Sequence, residues 1–261
     1  MVQESLARKF HPAGFEQPEG SRKNYVKPRA ELQEAFDKWV DGLPNYSLAL
    51  DDDSEKEYKK ACELVQSIGE IPYREANSLL AGFKPKTYGQ SGVGLFISAC
   101  YNQSPEPVII FDVDAPEINL IGYGLEENKI LVNKGKVGDY FGRSSSGILV
   151  NNGKIEWLFS IFFSGIIINN DEALDLVGYW SGGTIVGLRE PKDYGYLLGG
   201  GIILKADGSM GIPKLKNYLE ELAEITMAIK DEESAKRFLQ RYGPEPKETI
   251  ESEIKKFLSS V

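Results

Sequence analysis

The sequence predicts a mainly β protein: a single-stranded parallel β-helix of about six 18-residue coils, capped by helical N- and C-terminal regions. Three observations predict it. Aliphatic tetrapeptides recur at an 18-residue step through the middle of the chain. Of 27 glycines, 18 fall between Gly122 and Gly211. Both flanks instead carry apolar residues three and four apart, the spacing of one helix face. The boundaries that follow are a helical region over 1–107, the solenoid over 108–212 and a helical cap over 213–261.

The repeat decides the architecture. Ile130-Leu131-Val132-Asn133, Ile148-Leu149-Val150-Asn151 and Ile166-Ile167-Ile168-Asn169 start one 18-residue step apart, and Thr184-Ile185-Val186-Gly187 and Ile202-Ile203-Leu204-Lys205 continue it. Gly147, Gly165, Gly183 and Gly201 each stand immediately before a strand. So short a repeat cannot hold two helices, and β-branched runs between glycines oppose helix. One coil of a parallel β-helix fits. Corresponding strands stack about 4.8 Å apart, so six coils make a rod of about 29 Å. Glycine at the corners permits φ > 0 or close backbone approach. The aligned Asn133, Asn151 and Asn169 predict an asparagine ladder at another corner. A preceding, less regular coil begins near Val108.

Residues 1–27, with Pro12, Gly14, Pro18 and Gly20, read as an irregular arm. Pro28 suits a first helical position, with Leu32, Phe36, Trp39 and Val40 on one face until Gly42. Ser54 with Glu57 forms a capping box for a helix carrying Tyr58, Cys62, Val65 and Ile68. Pro72 opens a third helix through Leu79, Leu80 and Phe83. From Val93, GLFISACYN and PVIIFDVD read as extended chain. Past the repeat, Pro213 to Ile229, residues 232–242 and a last segment through Ile250, Ile254 and Phe257 each carry an apolar stripe. Such stripes must pack on something, and the open ends of a solenoid offer unpaired strand edges.

Gly138-Asp139-Tyr140-Phe141-Gly142 and Gly182-Gly183-Thr184-Ile185-Val186 resemble the GXGXG-type β-helix, a module found in the large subunit of glutamate synthase and in formylmethanofuran dehydrogenase. The resemblance covers about 70 of the 261 residues. It implies right-handed winding and a scaffold or subunit interface with no active site of its own. Ser146-Gly147 and Ser164-Gly165 depart from the family's paired glycines. Left-handed winding is the alternative: Leu131, Val137, Leu149, Ile155, Ile161 and Ile167 suit hexapeptide repeats, whereas Asn119, Arg143 and Ser209 break them. Left-handed acyltransferases normally use a coil histidine as base, and the single histidine, His11, precedes the solenoid.

Composition narrows the function. Net charge is −9, and no zone of the chain is net basic: Lys plus Arg against Asp plus Glu run 13 to 16, 8 to 13 and 9 to 10 along the three regions. Nucleic acid and anionic membrane are therefore not expected partners. The longest apolar run, Trp157 to Ile168, is too short to span a bilayer, and the N-terminus lacks a secretory apolar stretch. Two cysteines, Cys62 and Cys100, cannot build a thiolate metal site. The expectation is a cytoplasmic protein with no metal and no cofactor.

The candidate binding face is one solenoid column. Asp139, Trp157, Asp175 and Asp193 recur at the 18-residue step, and Asp175 and Asp193 would lie about 5 Å apart along the stack. Paired carboxylates suit Ca²⁺ or glycoside chemistry, and Arg143, Arg189 and Lys192 could neutralise a uronate. The other account is exposed carboxylates paired with nearby cations. Tyr140, Phe141, Phe159, Phe162, Phe163, Tyr179 and Trp180 are too many rings for a narrow core, so some face outward and suit protein docking. The leading expectation is a non-catalytic scaffold that binds a protein subunit or self-associates. Carbohydrate binding or processing through the acidic and aromatic face is the alternative.

Overall fold

The structure, a computed structural model, describes residues 26–43, 52–81, 83, 91–155, 158–170, 176–179, 182–187, 201–205 and 213–259. Four helices come first: α1 (Ala30–Gly42), α2 (Asp52–Gln66), α3 (Tyr73–Leu80) and α4 (Ser91–Asn102). Eleven short strands follow: β1 (Val108–Phe111), β2 (Asp114–Ala115), β3 (Ile130–Asn133), β4 (Lys136–Val137), β5 (Ile148–Asn151), β6 (Lys154–Ile155), β7 (Leu158–Ile161), β8 (Ile166–Asn169), β9 (Leu176–Tyr179), β10 (Thr184–Gly187) and β11 (Ile202–Lys205). Three helices, α5 (Pro213–Met227), α6 (Glu232–Tyr242) and α7 (Pro246–Leu258), end the chain.

The strands form three parallel sheets in the orders β1-β3-β5-β8-β10-β11, β2-β4-β6 and β7-β9. Ile130 pairs with Ile148, Ile148 with Ile166, Ile166 with Thr184 and Thr184 with Ile202, each one 18-residue step on. Val108 pairs with Ile130, so the first turn is longer than those that follow. The chain is a parallel β-solenoid. Its described residues make about four turns. Among the described residues, six strands stack on the first side, three on the second and two on the third. The later corners fall in 171–175, 188–200 and 206–212, outside the described residues.

All four positions of β1, β3, β5, β8 and β10 are buried. Strands covered on both faces read as continuous apolar runs, which explains why ILVN and IIIN lack alternation. Leu131 and Leu149 reach across the interior toward Gly122 and Gly142, and Phe141 and Phe159 stack with centroids 5.5 Å apart. Each fully buried aliphatic side chain contributes about 1.5–3 kcal/mol. The asparagine ladder is present. Asn133 Nδ2 donates to Asn151 Oδ1 at 2.8 Å, and Asn151 Nδ2 to Asn169 Oδ1 at 3.0 Å.

The corner glycines before β5, β8 and β10 do not need positive φ. They need close approach: a Cβ on Gly165 would lie 1.9 Å from the Gly147 carbonyl oxygen, and one on Gly183 would lie 2.4 Å from that of Gly165. Gly201, before β11, is half-buried.

Helix α4 corrects the expectation of extended chain from Val93. Residues Ser91 to Tyr101 are buried on every side, and a helix surrounded by protein loses the periodicity that would reveal it. It closes the open edge of the first turn. Ser98 Oγ donates to the Leu120 carbonyl at 3.0 Å and accepts from the Tyr123 amide at 3.1 Å. Asn102 donates to the Gly124 carbonyl at 2.8 Å and accepts from the Glu126 amide at 3.1 Å. On the first side, Asn77 of α3 donates to the Ile110 carbonyl at 2.8 Å. These side chains occupy the groups that a preceding coil would have paired. Ser98→Ala is expected to lower stability by about 1 kcal/mol, because it removes the bonds from α4 and leaves the Leu120 carbonyl and the Tyr123 amide only their mutual bond at 3.2 Å. Thermal unfolding should show a fall of about 2–4 °C, and an unchanged midpoint would refute the capping role.

Two further expectations change. Helix α2 begins at Asp52, so Ser54 sits buried in the first turn rather than capping it. The C-terminal helices do not simply close an end; they run beside the solenoid. Lys247 pairs with Glu127 at 2.6 Å in the first turn, and Asn152 in the third donates to the Thr226 carbonyl at 2.9 Å. Asn170, in the fourth, reaches Thr226 Oγ1 at 3.4 Å. The outer face of the long sheet is itself apolar, and covering it buries more area than covering one coil end. Among the described residues, no helix is long and apolar enough to cross a membrane.

Candidate functional site

The third side of the solenoid holds the candidate face. Its chain alternates through left-handed residues that stack in columns. Leu120 (φ 64°) lies beside Tyr140 (61°), Gly142 (72°) beside Ser160 (58°), and Ser144 (57°) beside Phe162 (56°). Each such non-glycine residue costs about 1–2 kcal/mol. The turns are held by buried hydrogen bonds: Ser145 Oγ and Ser160 Oγ both donate to the Gly142 carbonyl, at 2.8 and 2.9 Å, and the Ser144 amide donates to the Ile161 carbonyl at 2.8 Å.

Arg143 is the centre of this face. Its guanidinium lies 6.0 Å from the Tyr140 ring centroid and 5.7 Å from that of Phe162. Arg143 is 8% exposed, so it is not the open cation expected to meet a uronate. Packing between two rings satisfies its flat faces instead. Phe162 is 50% exposed, while Phe141, Phe159 and Phe163 are buried. The crowded rings thus divide as expected, with Phe162 outermost.

Asp139 is half-buried rather than openly displayed. Its amide donates to Asn119 Oδ1 at 2.9 Å and its carbonyl accepts from the Leu120 amide at 3.0 Å. Burial raises the Tyr140 phenol pKa, and the neighbouring Asp139 carboxylate adds to this while Arg143 opposes it. Trp157, Asp175, Arg189 and Asp193 lie outside the described residues. The structure therefore brings together Asp139, Arg143 and their aromatic neighbours from the predicted face.

Other reactive groups are set for structure. Lys129 is buried, with its ammonium donating to the carbonyls of Ser104 and Glu106, and burial lowers its pKa. Burial also raises the Cys62 and Cys100 thiols above their usual range, which keeps both protonated at neutral pH. Among the described residues, no three His, Cys, Asp or Glu side chains are placed to hold a metal ion. One charged feature escaped the reading of the sequence. Lys134, Lys136 and Lys154 gather on the second side, signalled only by the 18-residue offset between NKGKV and NNGKI. The chain matches no known protein family, no characterised protein and no solved structure.

Proposed function

We propose that the chain is a non-catalytic β-helix scaffold or subunit that docks another protein in a cytoplasmic assembly, through the side carrying Tyr140, Arg143 and Phe162. The observation that supports this is Phe162. A large apolar ring stands half exposed, on a left-handed backbone that glycine would adopt freely, against a buried arginine. Aromatic rings and arginine dominate the energetic centres of protein interfaces. The resemblance to the GXGXG-type β-helix points the same way and includes right-handed winding in the proposal. Two free thiols, Cys62 and Cys100, suit a reducing compartment. The carbohydrate reading draws less support, because Asp139 and Arg143 are committed to packing.

Phe162→Gly separates the role in docking from any role in folding. The lost ring contact, about 0.5–1 kcal/mol, is offset by relief of about 1 kcal/mol of backbone strain. The melting temperature should stay within about 2 °C of the parent. Native mass spectrometry of the protein purified from its host should show a protein complex that the variant loses. A monomeric parent, or a variant that keeps its partner, would end the proposal.

A further inference from the structure

Asn152-Gly153 is the single Asn-Gly pair in the chain. Glycine has no side chain to shield its amide, so in open chain this pair cyclises more readily than other asparagine dipeptides. The Gly153 amide nitrogen, once deprotonated, attacks Cγ of Asn152. A bond from that nitrogen to Cγ forms, the Cγ–Nδ2 bond breaks, and ammonia leaves. Water then opens the succinimide at either carbonyl and gives aspartate or isoaspartate. The pair stands at the corner between β5 and β6, and both residues are half-buried, within reach of water.

The fold occupies each group that this reaction uses. The Gly153 amide donates to Asn151 Oδ1 at 3.3 Å, and Asn151 is itself fixed by the ladder. An amide held in this way must open before it loses its proton, the same step that hydrogen exchange needs. The Asn152 carboxamide is clamped at both ends. Its nitrogen donates to the Thr226 carbonyl in α5 at 2.9 Å, and its oxygen accepts from Asn170 Nδ2. Turning Cγ toward the Gly153 nitrogen breaks both bonds. The preceding corner has the same clasp without the reactive pair: the Gly135 amide donates to Asn133 Oδ1 at 3.2 Å, but Lys134 stands at the step of Asn152.

Conversion changes what the corner can hold. An aspartate at this position has no donor for the Thr226 carbonyl and sets a negative charge against it. An isoaspartate also lengthens the main chain by a methylene. That insertion falls between the Asn152 and Lys154 amides, which donate to the Asn133 and Gly135 carbonyls at 2.8 and 2.9 Å.

We propose that Asn152-Gly153 is a deamidation site held latent by the asparagine ladder and by α5, and that its conversion loosens α5 from the solenoid. The site stands independently of docking at Phe162. The test ages the full chain in mildly alkaline buffer, with and without urea, and maps the products by peptide mass spectrometry and enzymatic methylation of isoaspartate. In urea, Asn152 should convert before any other asparagine. In the folded protein it should convert at least about tenfold more slowly, in step with the hydrogen-exchange protection of the Gly153 amide. Equal rates with and without urea, or earlier conversion elsewhere in the urea-treated chain, would overturn the site.

Asn151→Ala, kept below its own melting transition, should raise the folded rate several-fold, and an unchanged rate would overturn the part given to the ladder. Should that variant fold poorly, the urea comparison needs only the parent. Asn152→Asp reproduces the simpler product. It should lower the melting temperature by about 2–6 °C and speed hydrogen exchange in α5 around Thr226. The parent's melting temperature and exchange in that variant would overturn the effect on α5.

Discussion

Gly165→Ala is expected to cost about 4 kcal/mol and to lower the melting temperature by about 8–16 °C. The cause is backbone against backbone. The added methyl carbon would lie 1.9 Å from the Gly147 carbonyl oxygen and 2.5 Å from that of Ser146. No side chain can swing away to admit it. The Gly147 carbonyl also accepts the Ile166 amide at 3.1 Å, so moving it breaks a rung between successive turns. Gly42→Ala is the control, because a Cβ there meets nothing within 4 Å and needs no unusual φ. That change should leave stability the same or slightly raised. Circular dichroism melts of the two variants decide the matter: similar midpoints would mean that the corner yields and that the stack is not governed by close approach.

The second large effect is expected at Asn151, the middle of the ladder. Its amide donates to Asn169 Oδ1, and its oxygen accepts from Asn133 Nδ2 and from the Gly153 amide at 3.3 Å. Asn151→Leu removes three hydrogen bonds at once, two of them buried and that of the Gly153 amide partly buried, at about 1–3 kcal/mol each, so a loss of about 4–6 kcal/mol is expected. Asn133→Leu at the ladder's end removes one donor to Asn151 and one acceptor for the Gly135 amide, and should cost less. Urea unfolding of the two variants would give the order. Equal losses, or losses under about 1 kcal/mol, would show that the amides are not coupled along the stack.

The solenoid was readable because stacking repeats a local environment. Ile148 sits on Ile130 and beneath Ile166, so the same residue type suits each step and the period appears in the sequence. Asn133, Asn151 and Asn169 were readable for the same reason. The candidate site was only partly legible. Arg143 carries a charge that suggests an open surface, yet it lies packed between Tyr140 and Phe162, and nothing in its neighbours in the chain signals that. Lys134, Lys136 and Lys154 are diluted by acids nearby in sequence and concentrate only when the chain coils.

By itself the sequence determined the parallel β-solenoid, its inward aliphatic stack and the helices at either flank, because each depends on a short-range period. Only the tertiary structure decided that GLFISACYN is a helix, that α4 supplies the hydrogen bonds closing the first turn, and that α5 to α7 flank the coils. Burial on every side erases the amphipathic signal of α4, and an apolar stripe states that a helix must be covered without stating by what. The same holds for function. The surroundings of Phe162 and the bonds that hold Asn152 come from neighbours a full coil or more away in sequence, which only the winding of the chain brings within reach of one another.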